Sequence, residues 1–158
     1  MNAQELFFAT IQSGNVTNLK SQLSHNPDIV NVKDSRGFTP LIFATYFDKE
    51  DISKLLVDHN AEIDARDASG NTALIGVCFK GNVSIANHLI AHGADLNAKN
   101  TKGVTPLIFA TLYNKLEIVA LLLEKGADST ITDKDEKSAT DYAKEKGFVE
   151  ILELLRNQ

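Results

Sequence analysis

The chain has 158 residues, a formal net charge of −5 and an apolar share of 43%, values that suit one folded domain with a continuous core. No run approaches the ~18 apolar residues of a membrane span, and Met1-Asn2-Ala3-Gln4-Glu5 lacks the basic region and long apolar run of a secretory leader. The lone cysteine, Cys78, excludes an internal disulfide, so a reducing, cytoplasmic setting is the expectation.

Residues 1–33 read as a degenerate first unit. Phe7, Phe8 and Ile11 form the buried side of one helix, and Val16, Leu19 and Leu23 that of a second. From Asp34 the unit is complete. Asp34-Ser35-Arg36-Gly37 is a turn whose glycine suits a positive φ. Thr39 caps the next helix, Pro40 fits its first turn, and Leu41, Ile42, Phe43 and Ala44 face the core. A second helix runs from about Lys49 to Asp58 with Ile52, Leu55 and Leu56 at helical spacing, and Asn60 ends it in a left-handed conformation.

The same unit returns over 67–99 and 100–132. Its phrase reads Asp-Ala-Ser-Gly-Asn-Thr-Ala-Leu-Ile from Asp67 and Asn-Thr-Lys-Gly-Val-Thr-Pro-Leu-Ile from Asn100, and Gly93 and Gly126 take the place of Asn60. Gly37, Gly70 and Gly103 are thirty-three residues apart, with Glu136 at the next step. Residues 133–158 are lysine- and glutamate-rich, and Thr140 and Asp141 stand where Leu and Ile stood, as a closing unit without an outer neighbour requires. Ile52, Ile85, Ile118 and Ile151 are equivalent, as are Leu56, Leu89, Leu122 and Leu155; Ala44, Val77, Ala110 and Ala143 mark close helix approaches.

Self-similarity at this period signals stacked supersecondary units. The Gly-x-Thr-Pro-Leu and Leu-Leu-x-x-Gly-Ala phrases resemble the ankyrin repeat. The resemblance implies an all-α solenoid of helix-turn-helix units with short β-hairpin-like turns: three full repeats (34–66, 67–99, 100–132) between an N-terminal cap (1–33) and a C-terminal cap (133–158). The Thr-Pro-Leu-Ile and Thr-Ala-Leu-Ile variants are similar to those of small bacterial ankyrin proteins. The family's histidine in this phrase is isoleucine here, at Ile42, Ile75 and Ile108. That exchanges a polar bridge between turns for apolar burial, and less rigidly tied turn tips are expected.

No catalytic set converges. Cys78 follows Val77 on the inner side of its helix and reads as a buried structural thiol. His25, His59 and His92 recur just before the helix-ending position, with Lys125 fourth. Packed helices lie on the order of 10 Å apart and zinc–nitrogen bonds are about 2.0–2.1 Å, so this column reads as a complement to helix C-termini rather than a metal site. His88 stands alone and reads as a packing residue. Asp34, Asp67 and Asp133 are turn-formers. No phosphate loop, Gly-x-Gly-x-x-Gly or His-Glu-x-x-His occurs, so the expectation is a non-enzyme without cofactor or metal.

The resemblance places partner contacts along a concave side formed by the turn tips and first helices. Carried over residue by residue, the principal positions are Arg36, Phe38, Tyr46, Phe47 and Arg66, then Phe79 and Lys80, then Lys102, Val104, Leu112 and Tyr113. The wider set adds Ser35, Ala68, Ser69, Asn71, Lys99, Thr101 and Thr132, with Lys134, Asp135, Lys137, Glu145 and Lys146 in the cap. Five of the chain's eleven aromatic residues fall in it, as interface anchors would. Eight basic and two acidic residues give it +6 within a chain of −5, leaving −11 for the remainder.

Such a face would steer an acidic, apolar protein partner. The expected function is a monomeric interaction module, in its sharper form an inhibitor or immunity protein of a partner enzyme. The alternatives are a generic adaptor or scaffold, and a nucleic-acid-binding regulator. The last is disfavoured by the acidic pI near 5.3.

Overall fold

The structure is a computed structural model that describes residues 1–158. Ten α helices form five successive pairs and no strand is present. The first helices of the pairs are α1 (Ala3–Ser13), α3 (Pro40–Tyr46), α5 (Ala73–Lys80), α7 (Pro106–Leu112) and α9 (Ala139–Lys146). The second helices are α2 (Val16–His25), α4 (Glu50–Asp58), α6 (Val83–Ala91), α8 (Leu116–Glu124) and α10 (Val149–Arg156). Each first helix packs on the next first helix, and α4, α6, α8 and α10 pack in series as a second layer. The result is the expected all-α repeat solenoid.

Helix starts follow from their caps. The hydroxyls of Thr39, Thr72 and Thr105 accept from the backbone N–H groups of Ile42, Ile75 and Ile108 at 3.2, 3.3 and 3.3 Å. Ser138 and Asp141 form a reciprocal capping box on α9, as Asn2 and Glu5 do on α1. The core is continuous: Leu41, Leu74 and Leu107 are buried from the first helices, and the isoleucine and leucine series of the second helices is buried at every step. Burying such a side chain stabilises by roughly 1.5–3 kcal/mol. Ala44, Val77, Ala110 and Ala143 are fully buried where helices approach.

The short β-hairpin-like turns expected between units are strandless turns instead. In each tip one side-chain oxygen accepts two backbone N–H groups: Asp34 from Arg36 and Phe38, Asp67 from Ser69 and Asn71, Asn100 from Lys102 and Val104, Asp133 from Asp135 and Lys137, all at 2.8–3.1 Å. This local bonding satisfies the backbone within the turn and removes the need for a ladder.

The tips are also tied to one another, contrary to the expectation from the missing histidine. Ala68 N–H donates to the Arg36 carbonyl at 3.2 Å, Thr101 to Ser69 at 3.0 Å, and Lys134 to Lys102 at 3.0 Å. That approach explains the recurring glycine. Gly70 has φ 76°, and a Cβ there would lie 2.9 Å from Thr101 N. Glu136 adopts the same left-handed region, φ 60°, in the final tip.

One element escaped the sequence reading. A 3₁₀ turn over Pro27–Asn31 buries Ile29 and Val30 and packs against α2 and α3. Pro27 at its first position and the adjacent apolar pair are its signals.

Candidate protein-binding surface

The tips and the C-terminal ends of the first helices carry the residues expected to make contact. Tyr46 ends α3, Phe79 lies in the last turn of α5, and Tyr113 is the C-cap of α7. Their side chains project past the last buried position of each helix, and they are 45%, 41% and 45% exposed. The other exposed large apolar residues are Met1, Leu6 and Val149, so half of that class gathers on this face.

The rings form two groups. Phe79 meets Tyr113 edge-on with centroids 4.7 Å apart. Tyr46 lies 5.7 Å from Phe38 and 5.2 Å from Phe47. The Lys80 ammonium links the groups, 5.4 Å from the Tyr46 ring centre and 5.7 Å from that of Phe79. The Arg36 guanidinium lies 4.4 Å from the Phe38 centroid.

Not every expected contact residue is available. Val104 is 7% exposed and belongs to the core. Its short branched side chain does not extend beyond the packed layer, whereas Phe38 and Asn71 at the equivalent steps are half-buried. Phe47 is half-buried too, its ring 4.6 Å from that of Phe43, and Leu112 packs against the same core. These two form the base of the surface rather than its crest.

The charge is also more engaged than the count implies. Arg36 pairs with Asp34 at 2.8 Å, and Lys137 with Glu145 at 2.9 Å. Burial pushes the Asp34 carboxyl up, but the Arg36 guanidinium and the N–H groups of Phe38 and Arg36 outweigh it and hold it below the usual range. Arg66 donates to the carbonyls of Gly70, at 3.2 Å, and Lys99; it bridges units and stays exposed. Lys80, Lys99, Lys102, Lys134 and Lys146 are exposed and form no ion pair. They carry the uncompensated positive charge of this face.

A residue outside the expected set shapes the centre. Gly76 stands where Phe43 and Phe109 stand in the flanking units, and a Cβ added to it would meet nothing within 4 Å. Around it opens a hollow of about 330 Å³ walled by Phe38, Ile42, Tyr46, Phe79 and Phe109. A second, more polar groove of about 460 Å³ is lined by Asn100, Lys102, Tyr113 and Lys146 among others, and shares Ser69, Asn71 and Phe109 with the first. The break in the series Phe43, Gly76, Phe109, Tyr142 was the signal in the sequence.

The other titratable candidates divide. Cys78 is fully buried, and burial pushes its thiol well up, so it is a packing residue. The ring nitrogens Nδ1 of His25, His59 and His92 lie 2.8, 2.9 and 2.8 Å from the carbonyls four residues earlier, at the ends of their helices. His88, read from the sequence as solitary, is not: its ring lies 4.2 Å from that of His92 and its Nε2 3.8 Å from Asp58. No helix is long and apolar enough to cross a membrane.

A family model described as ankyrin repeats (3 copies) matches residues 6–100 and 74–158. No curated protein matches the chain.

Proposed function

The chain belongs to the ankyrin-repeat family, whose members are generally protein–protein interaction modules, and from that premise we propose that it is a non-catalytic binder of an acidic, apolar protein segment. One observation carries this reading. The hollow beside Gly76 is walled by exposed Tyr46 and Phe79 and flanked by Lys80, which forms no ion pair. An apolar anchor seated there would lose water wherever it meets these walls, the setting in which a few side chains dominate binding, and carboxylates beside it would meet Lys80 and, in the adjoining groove, Lys102.

In its sharper form the protein is an inhibitor or immunity protein that occupies one partner enzyme as a monomer. What supports this form is a single face holding both the aromatic and the uncompensated basic residues. A generic adaptor would use the same surface for several weaker partners.

Selection from a displayed peptide library tests the proposal. Enriched sequences should carry an aromatic or branched apolar residue next to Asp or Glu, and the double variant Phe79→Ala/Tyr113→Ala should lose them. Enrichment of basic peptides, or equal retention by the variant, overturns it. Stoichiometric loss of a captured enzyme's activity selects the inhibitor over the adaptor, and salt-sensitive retention of nucleic acid in a gel shift would displace both.

A further inference from the structure

We propose that Asp58, His88 and His92 form a binding site for a divalent cation of the borderline class, zinc(II) foremost, that clips α4 to α6. The site lies in the second-helix layer. One ligand atom from each of the three residues lies within 4.8 Å of the others. Asp58 is the last residue of α4, while His88 and His92 are four apart at the end of α6 and therefore share one helix face.

Two features separate this cluster from an incidental gathering of polar side chains. The Nε2 atom of His88 is out of contact with solvent and has no hydrogen-bond partner. A buried nitrogen in that condition is unsatisfied, and a cation supplies what it lacks. The neighbouring ring is already oriented: Nδ1 of His92 lies 2.8 Å from the His88 carbonyl and donates to it. That bond fixes the proton on Nδ1 and leaves a lone pair on Nε2, the arrangement that orients metal-bound imidazoles.

The donor set selects the ion. Two imidazoles and one carboxylate match zinc and its first-row neighbours rather than calcium or magnesium, which take oxygen. Tetrahedral bonds of 2.0–2.1 Å place ligand atoms about 3.4 Å apart, so no pair of the trio, all within 4.8 Å of one another, needs to close by more than about 1.4 Å. Asp58 is exposed and can swing inward, towards a half-buried His88 and a His92 ring oriented by its Nδ1 bond. Three protein ligands leave a fourth position for water or a partner's side chain. The carbonyl ends of α4 and α6 add favourable partial charge. Lys54 opposes the cation from the same side, but it is paired with Glu50 at 2.9 Å.

Calorimetric titration of the full chain with zinc chloride at pH 7.5, together with thermal melts, tests the site. One zinc per chain should bind, and the Tm should climb with zinc concentration, because a ligand of the folded state alone stabilises it. Asp58→Asn and His92→Ala replace exposed side chains and should keep the apo Tm. Each should weaken zinc at least about tenfold, since even a supporting partner of a metal ligand contributes that much. His59→Ala, at the equivalent helix end one unit earlier, should bind as the parent does. Absence of one-to-one binding by the parent, or unchanged affinity in Asp58→Asn and His92→Ala, overturns the site. Tetrahedral visible absorption on loading with cobalt(II), lost in the same two variants, gives an independent readout.

Discussion

The ring of Phe79 stands edge-on to that of Tyr113, centroids 4.7 Å apart and planes at 90°, across the boundary between two adjacent units. Such a pair contributes about 0.5–1.5 kcal/mol beyond its buried area. Both rings remain more than two-fifths exposed, so they have apolar surface left to give a partner. Alanine at either position is expected to weaken partner binding by about 2 kcal/mol or more and to lower unfolding stability by no more than about 1.5 kcal/mol. Calorimetric affinity set beside urea unfolding of the same variants separates the two effects. Unchanged affinity in both would remove them from the interface.

Leu107 is fully buried in α7, between the neighbouring first helices and α8. Leu107→Ala is expected to cost about 2–5 kcal/mol, through lost transfer free energy and the cavity left behind. The urea midpoint measures it, and a loss near that of a surface substitution would contradict this placement.

Two glycines in neighbouring segments should respond oppositely to alanine. At Gly70 the φ of 76° and the Thr101 backbone 2.9 Å away oppose a Cβ, so Gly70→Ala should cost about 1–3 kcal/mol. Gly76 lies within α5 with open space where a Cβ would go, so Gly76→Ala should gain about 0.5–1 kcal/mol of helix stability. Equilibrium unfolding of the pair reads both signs. A bulkier Gly76→Phe should fill the hollow and abolish binding while the protein stays folded.

Glu50 should shape the acid limb of stability. Its carboxylate accepts from Ser84 Oγ at 2.6 Å, Lys54 Nζ at 2.9 Å and Asn82 Nδ2 at 3.4 Å, joining α4 to α6. These bonds, that of Ser84 foremost, pull its pKa from 4.5 to about 2. Between those values the unfolded chain holds the proton and the folded chain does not. The contribution is therefore complete above about pH 4.5 and vanishes as pH falls through about 2. Glu50→Gln should lower the urea midpoint at pH 7 and flatten its fall between pH 5 and 2.5. An equally steep fall in the variant would assign the acid sensitivity elsewhere.

Cys78 should be silent in the folded protein. Its thiol is fully buried and pushed well above the ordinary range, so a thiol-specific reagent at pH 8 should label it only at the rate of unfolding. Prompt labelling under native conditions would contradict that burial.

The sequence made the stacked units and most of the core legible, because identical neighbours impose identical demands at each step. Leu41, Leu74 and Leu107, and the threonine caps before them, all lie in equivalent places. What was not legible depends on neighbours one unit away. Gly76 breaks an aromatic series that the sequence displays, but it becomes the floor of a hollow only because Phe38, Tyr46, Phe79 and Phe109 surround it. His88 looked solitary because Asp58 is thirty residues distant and on another helix, although its spacing to His92 was visible. The burial of Val104 was not legible either, because the same register is half-buried with Phe38 or Asn71 and buried with valine: side-chain reach, not position, decides there.

The three isoleucines that stand where the family has histidine, Ile42, Ile75 and Ile108, are buried at successive levels of the first-helix layer. No imidazole therefore ionises inside that seam as water passes from mildly acid to mildly alkaline. The contribution of these side chains to the grip between levels does not change over that interval, and all four histidines stand instead at the ends of second helices.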